Sequence, residues 1–250
     1  MARIWIRFYQ ELNDFLPRAR RGGEFAHAVA GRTSVRDLIE SLGVPHTEVD
    51  LILVNGASVS FDYLVCDGDR VSVYPTFESI DITPLLRLRP APLREPRFVL
   101  DHHLGRLAAY LRLFGFDSLY GPDWDDTTLA EISAHQERIL LTRDRGLLKR
   151  RAVRRGYCPR EDHPRRQLVE VMRRFDLLSA AQPLTRCLAC NGRLARVSAD
   201  QVRGAVPPDV IASQSDLARC ADCGRVYWRG THYQRLRALI EAVRQELART

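Results

Sequence analysis

Lysine is nearly missing from this sequence: of 38 basic residues, only Lys149 is not an arginine. Arginine's planar fork suits phosphate oxygens, and a genome biased in base composition would give the same count. Long apolar runs are missing as well. No stretch of about 18 apolar residues is available to cross a bilayer, and the N-terminus carries no apolar leader. The expectation is therefore a soluble chain in the cytoplasm with no membrane partner. Cysteine is scarce, at six residues, and a disulfide framework would need the oxidising compartment that the missing leader argues against. What is present is 250 residues, 45% of them hydrophobic, enough for one large domain or two to three small ones.

Charge is spread unevenly. Residues 1–90 hold 10 basic and 12 acidic residues, and the remainder holds 28 and 19. The second part suits a polyanion and the first does not. In that first part, Arg3–Tyr9 alternates like a half-buried strand, and Glu24–Ala30 reads as its hairpin partner. Ser34–Leu42 opens on an N-cap serine, sets Val35, Leu38, Ile39 and Leu42 on one face, and closes at Gly43 and Pro45. Strands follow at Leu51–Asn55 and at Arg70–Tyr74, the latter entered through an Asp67-Gly68-Asp69 turn.

This ββαββ order, with Val54-Asn55-Gly56 and Asp67–Val71, resembles the ubiquitin-like sulfur carriers of thiamine and molybdopterin synthesis, a β-grasp fold. Those carriers are activated on a C-terminal Gly-Gly. Here the corresponding tail, Tyr74–Asp81, holds none and the chain runs on, so residues 1–82 read as an interaction or stabilising module, with a protein partner as one expectation. Prolines 84, 90, 92 and 96 break any regular helix and mark residues 83–96 as a linker.

From Arg97 the pattern changes. Phe98–Leu100 reads as a buried strand that ends abruptly in Asp101, and Leu104, Leu107, Ala108, Leu111 and Phe114 then follow at helical spacing up to Gly115. Ser118–Tyr120 is a second strand. An acidic cluster, Asp123 to Asp126, precedes a helix carrying Leu129, Ile132 and Ser133. Arg138–Thr142 is a third strand and delivers Asp144. Gly156–Cys158 makes a fourth, and Arg165–Leu178 a helix with Leu168, Val171, Met172 and Phe175 inward. Strands alternating with helices predict a three-layer α/β/α domain on a parallel sheet.

In such a sheet, carboxylates just past the strand ends converge on one crevice. Asp101, Asp126 and Asp144 share that edge. Close carboxylates repel, and a hard divalent cation, Mg²⁺ or Mn²⁺, is the usual means of keeping all of them ionised. Such a cation polarises a phosphodiester and generates the attacking hydroxide from a bound water. Helix capping accounts for any one of these aspartates, Asp125 or Asp126 before one helix and Asp144 before the next, but less readily for the set.

Asp101 followed by Leu104–Ala108, then Leu111–Gly115, Asp125-Asp126 with Leu129, and Leu141–Leu147 together resemble the RNase family named for the C-terminal domain of the Mut-seven exonuclease, a branch of the PIN-like nucleases. The likeness runs on through the cysteines to Val226–His232, and members often carry a ubiquitin-like domain in front. By position the resemblance implies that Asp101, Asp126 and Asp144 are the metal-binding catalytic carboxylates, with Asp125 secondary. It also implies a fourth acidic residue, for which Asp162 is the candidate in a segment, Arg160–Pro164, that also reads as a surface loop.

Arg143, Arg145, Lys149, Arg150, Arg151, Arg154 and Arg155 form a basic run beside these acids. A solvated helix face is the plain reading; beside a carboxylate pocket the same side chains, with Arg106, would neutralise RNA phosphates and make binding fall with salt. His102 and His103 adjoin Asp101 at no ligand spacing and are expected to face solvent.

Cys187-x-x-Cys190 and Cys220-x-x-Cys223, 29 residues apart, are spaced for a closed tetrahedral Cys₄ zinc site, structural rather than catalytic. Cys66 and Cys158 have no such partners and are expected to be buried apolar residues. Tyr227 and Trp228 read as ribbon core, with base stacking the alternative. After the ribbon, residues 233–247 put Leu236, Leu239, Ile240, Val243 and Leu247 on one stripe of a packing helix, with arginines opposite. The zinc ribbon and this helix occupy residues 183–250, and the nuclease domain residues 97–182. The expectation is a metal-dependent ribonuclease acting on RNA, tRNA or another structured RNA included. The alternative is a non-catalytic adaptor that binds RNA, tRNA or the ribosome, and a third class is a protein-interaction scaffold led by the N-terminal module.

Overall fold

The computed structural model describes residues 1–75, 88, 95–213 and 216–249. The stretch expected as the linker falls almost wholly outside them. In chain order the elements are β1 (Ala2–Phe8), β2 (Phe25–Val29), α1 (Val35–Ser41), β3 (Leu51–Val54), β4 (Ala57–Ser58), β5 (Arg70–Tyr74), β6 (Phe98–Leu100), α2 (Gly105–Leu113), β7 (Ser118–Tyr120), α3 (Asp126–His135), β8 (Ile139–Leu141), α4 (Arg145–Leu148) and β9 (Gly156–Tyr157). Then come α5 (Pro164–Arg174), β10 (Leu194–Val197), α6 (Pro208–Ser213), β11 (Leu217–Cys220), β12 (Val226–Trp228) and α7 (Thr231–Ala248). Among the described residues no helix is long and apolar enough to cross a membrane.

Two compact units interleave along the chain: Met1–Glu95 with Asp125–Cys158, and Pro96–Trp124 with Pro159–Thr250. In the first unit the alternation of β1 buries Ile4, Ile6 and Phe8 and leaves Arg3 and Arg7 to lie over the rings of Trp5 and Tyr9. Its five-stranded sheet runs β2-β1-β5-β3-β4, with β1 and β5 parallel and the other pairs antiparallel. That is the β-grasp arrangement. Helix α1 is capped as expected, the Ser34 side chain accepting from the amide of Asp37, and it presses Val35, Leu38 and Ile39 into the core, each burial stabilising by about 1.5–3 kcal/mol.

A short 3₁₀ turn, His46–Glu48, escaped the sequence reading because nothing in it is apolar, yet all three residues are buried. It joins the β-grasp module to the 125–158 segment. His46 Nδ1 lies 2.6 Å from Glu40 Oε1 and its Nε2 lies 2.9 Å from the carbonyl oxygen of Val153. Glu48, with no exposed surface, accepts from the amide of Cys158 at 2.6 Å. Lys149 Nζ donates to the carbonyl of Glu40 at 2.8 Å, and the Arg145 guanidinium stacks 4.9 Å from the Phe15 ring centroid. Gly156 is required here, since a Cβ on it would sit 2.5 Å from Leu148 Cδ2 and 3.5 Å from Thr47 Oγ1. Within the same unit β8 and β9 pair in parallel, flanked by α3.

The second unit holds the parallel pair β6 and β7, covered by α2, which packs on α5, which in turn packs on α7. Two helices of this unit differ from expectation. The helix expected over Arg165–Leu178 stops at Arg174, because Asp176 takes a left-handed φ of 46°. Helix α6 is additional. Its Val210 and Ile211 pack with Val197, Val226 and Trp228 on a ribbon core of Val202, Val206 and Leu217, so Trp228 belongs to the core. The ribbon sheet runs β10-β11-β12, all antiparallel. The stripe expected on α7 is present, with Ile240 and Val243 buried. One expectation fails. Cys66 is exposed, because its amide is drawn into the Asp67–Asp69 turn by Asp69 Oδ2, and only Cys158 is buried.

The buried clamp makes two expected outcomes. Glu48→Ala strands the Cys158 amide and should lower stability by about 2–4 kcal/mol in urea denaturation, whereas Arg70→Ala, which removes an exposed pair with Glu24, should leave the midpoint almost unchanged. Equal effects would deny the clamp its weight. Burial raises the Glu40 carboxyl, but His46 and then Arg36 outweigh it and hold the group below its ordinary 4.5. Its stabilisation is thus complete above that value and is lost as pH falls through the lower, folded one, and Glu40→Gln should flatten the acid limb of a stability profile.

Candidate active site and cysteine cluster

The acidic residues divide between the units: Asp125, Asp126 and Asp144 in the first, Asp101 and Asp162 in the second. In the first, the buried strand β8 runs into Thr142, whose Oγ1 accepts from the Asp144 amide at 2.9 Å. Asp144 Oδ1 then accepts from the amides of Gly146 at 2.6 Å and Leu147 at 3.2 Å, capping α4. Asp125 caps α3 through the amide of Thr128 at 2.8 Å, and this bond, the largest influence on it, holds its carboxyl below the usual range. Asp126 does not cap. Its Oδ2 meets Arg150 Nη2 at 3.2 Å, and Arg150 Nη1 reaches Thr127 Oγ1. Both members are well exposed, so the pair adds under about 1 kcal/mol of stability. Asp126 Oδ1 and Asp144 Oδ2 have no hydrogen-bond partner among the described residues.

In the second unit Asp101 follows β6 and is 5% exposed. Its Oδ1 accepts from both the amide and the Nδ1 of His102, each at 2.6 Å. His102 and His103 are exposed, as expected from spacing, but the ring of His102 is turned back on the carboxylate. Tyr120 Oη donates to the carbonyl of His102 at 3.0 Å, tying this corner to β7. Neither role is legible from adjacency in sequence. Asp162 is exposed in the turn before α5, in a loop pinned where Glu170 accepts from the amides of Arg160 and Glu161. Arg106 and Arg143 are exposed. Arg145 and Lys149 are the two members of the basic run engaged by Phe15 and Glu40.

The four cysteines come together. Their sulfurs all lie within 4.8 Å of one another, with Cys187 and Cys223 3.6 Å apart and Cys190 and Cys220 3.4 Å apart. A tetrahedron of 2.3 Å zinc–sulfur bonds would space them by about 3.8 Å, and a disulfide would need about 2.05 Å. Burial pushes the Cys187 thiol up, but the Tyr227 hydroxyl at 3.1 Å and the amides of Cys190 and Ala189 bring it down to about 6. Burial first, then the neighbouring sulfurs, push Cys190 up to about 12. Such a split is what close thiols adopt when no cation neutralises them. The donor set fits a zinc ion, which would displace the shared protons.

The knuckle is anchored to β7 by two side chains that the sequence did not mark. Arg112 of α2, 4% exposed, donates to the carbonyls of Ser118, Leu188 and Ala189. Asn191 accepts from the Ser118 amide and donates to Asp117. A Cβ on Gly192 would lie 2.5 Å from Asp222 Oδ2 and 2.8 Å from the Cys220 sulfur, which is why glycine follows the knuckle.

Comparison with known families places these features. The model of the Mut7-C RNAse domain matches residues 96–240, more than half of the chain, and that of the Mut7-C ubiquitin matches residues 1–81. The chain belongs to the Mut7-C RNAse domain family. Among solved structures, a protein assigned as molybdopterin converting factor, subunit 1, from Pyrococcus furiosus is 24% identical, over 31% of this chain and 100% of its own, with a TM-score of 0.25. No curated protein matches the chain. The Mut7-C match takes in Asp101, Asp126, Asp144 and all four cysteines, so the cluster lies inside the family's domain rather than after it.

Removing metal tests the cluster. Cys220→Ser should abolish stoichiometric zinc in elemental analysis and unfold the ribbon. Arg112→Met should keep the ligands but lower stability by about 2–4 kcal/mol, by orphaning three carbonyls, and speed zinc loss to a chromogenic chelator. Unchanged release in Arg112→Met would detach the brace from the metal site.

Proposed function

We propose that this Mut7-C protein is a metal-dependent ribonuclease that hydrolyses RNA phosphodiester bonds. The observation that carries the reading is the state of the family-domain carboxylates: Asp126 and Asp144 are oriented by Arg150 and by backbone amides, yet each keeps an oxygen without a partner among the described residues. Hard oxygen donors of this kind suit Mg²⁺ or Mn²⁺. Asp126 and Asp144 would hold the ion in the first unit, with Asp125 secondary, and Asp101 and, secondarily, Asp162 are the candidate ligands that the second unit offers. When bound, the ion polarises the phosphodiester and lowers the pKa of a coordinated water.

The chain's own residues do the positioning. The cap on Asp144 fixes the direction of its free oxygen. The His102 ring nitrogen lies against one oxygen of Asp101 and limits how that carboxylate turns. Arg150 is placed to exchange its contact with Asp126 for a backbone phosphate, and Arg106 and Arg143 present further charge to RNA. Arg145 and Lys149 act as supports for the segment that carries Arg150, and the ubiquitin-like module serves as that segment's buttress in cis.

Asp144→Asn is the test. Asparagine caps a helix about as well as aspartate, so α4 and the zinc content should be unaltered, while cleavage of labelled RNA in Mn²⁺ or Mg²⁺ should fall at least about a hundredfold. A wild-type protein that binds RNA without metal-dependent cutting would replace the ribonuclease with an adaptor that binds RNA, tRNA or the ribosome.

A further inference from the structure

Helix α7 and the loop at Pro183–Leu184 enclose a groove of about 810 Å³, wholly within the second unit and unused by the carboxylate chemistry. Along it Tyr233, Arg237 and Arg244 fall on one face of α7. At a rise of about 1.5 Å per residue, the two arginines stand about 10 Å apart along the axis, with the tyrosine about 6 Å before the first.

Charge in the groove is of two kinds. Arg229 is already bridged to Asp216 at 2.7 Å, and its guanidinium lies 5.8 Å from the centroid of the Tyr233 ring. Arg237 and Arg244 are exposed and have no ion pair or hydrogen bond among the described residues. The groove's acid, Glu241, accepts from Gln245. The floor between the cations is apolar, with Leu184 half-buried and Ile240 6% exposed.

We propose that this groove is a second RNA site, which holds a single strand with phosphates on Arg237 and Arg244 and one base on Tyr233. Two uncompensated arginines along a channel suit a polyanion, and a flat ring beside an apolar floor suits an unpaired base, which stacks without regard to its identity. A duplex keeps its bases stacked and cannot use the ring; an acidic peptide would use the charges and not the ring. The site gives the ribonuclease a hold on its substrate that needs no divalent cation, and to that extent it rests on the reading above.

The experiment measures fluorescence anisotropy of a labelled oligouridylate with full-length, zinc-loaded Asp144→Asn protein, without added divalent cation. In that background Arg237→Ala with Arg244→Ala should weaken binding at least about tenfold and lower the slope of log K against log salt by one to two. Tyr233→Leu, which keeps an apolar side chain but no ring, should weaken the single strand about tenfold and leave a duplex probe unaffected. Unaltered melting and zinc content show that each variant is folded. Wild-type affinity in the arginine pair overturns the proposal, as does equal loss of oligoglutamate and oligouridylate without an effect of Tyr233→Leu, which would make the groove a protein-docking site. Should the wild-type protein fail to cleave RNA while these variants still lose it, the groove stands and the ribonuclease reading falls.

Discussion

Short strands set the terms for this protein. β6, β7 and β8 have three residues each and β9 has two, so their ladders leave many buried backbone groups that must find partners elsewhere. Side chains distant in sequence supply them. In the first unit Glu48 takes the Cys158 amide and His46 meets the Val153 carbonyl. In the second, Arg112 and Asn191 divide the carbonyl and amide of Ser118. Each of these residues is buried, and removing one would orphan backbone that water cannot reach, so in each unit these short strands depend on side chains from segments distant in sequence.

That constraint gives the flanking modules their physical meaning. A ubiquitin-like fold usually offers its surface to other proteins. Here the stretch from Glu40 to Glu48 is engaged by residues 148–158 of the same chain. The cysteine cluster is likewise more than a fold of its own. Leu188 and Ala189, between its first two sulfurs, present their carbonyls to Arg112, so metal bound at the knuckle would stiffen the acceptors on which a buried guanidinium depends. Burial already lowers the pKa of that guanidinium, opposed by the cysteine sulfurs and Asp117. Charge and packing are coupled at this point, and four thiolates without a cation would not be tolerated beside one another.

The element order was readable because apolar periodicity and punctuation agreed. Ser34 and Gly43 bounded α1, and Phe98–Leu100 and Arg138–Thr142 announced buried strands by composition alone. Cys₄ spacing announced the cluster. What escaped was polar and long-range. His46, Thr47 and Glu48 carry no apolar signal, and their partners lie about a hundred residues away in sequence. The same holds for Arg112, which reads as one more arginine on a helix, and for His102, whose neighbour in sequence is also its partner although no periodicity says which way its ring turns. Lys149, singular in composition, read as part of a basic rim, and no periodicity announced that its ammonium donates to the Glu40 carbonyl.

Capping and catalysis are often opposed as explanations of an aspartate at a strand end, and Asp144 argues against the opposition. A carboxylate has two oxygens. One, held by the amides of Gly146 and Leu147, fixes the rotamer of the side chain. The other, Oδ2, has no hydrogen-bond partner among the described residues. Asp126 reaches the same condition by a different route, through an exposed arginine that can exchange partners. An oxygen fixed by two amides in one aspartate and an oxygen paired with an exposed arginine in the other each leave carboxylate capacity over, so neither the cap nor the ion pair exhausts what the side chain can bind.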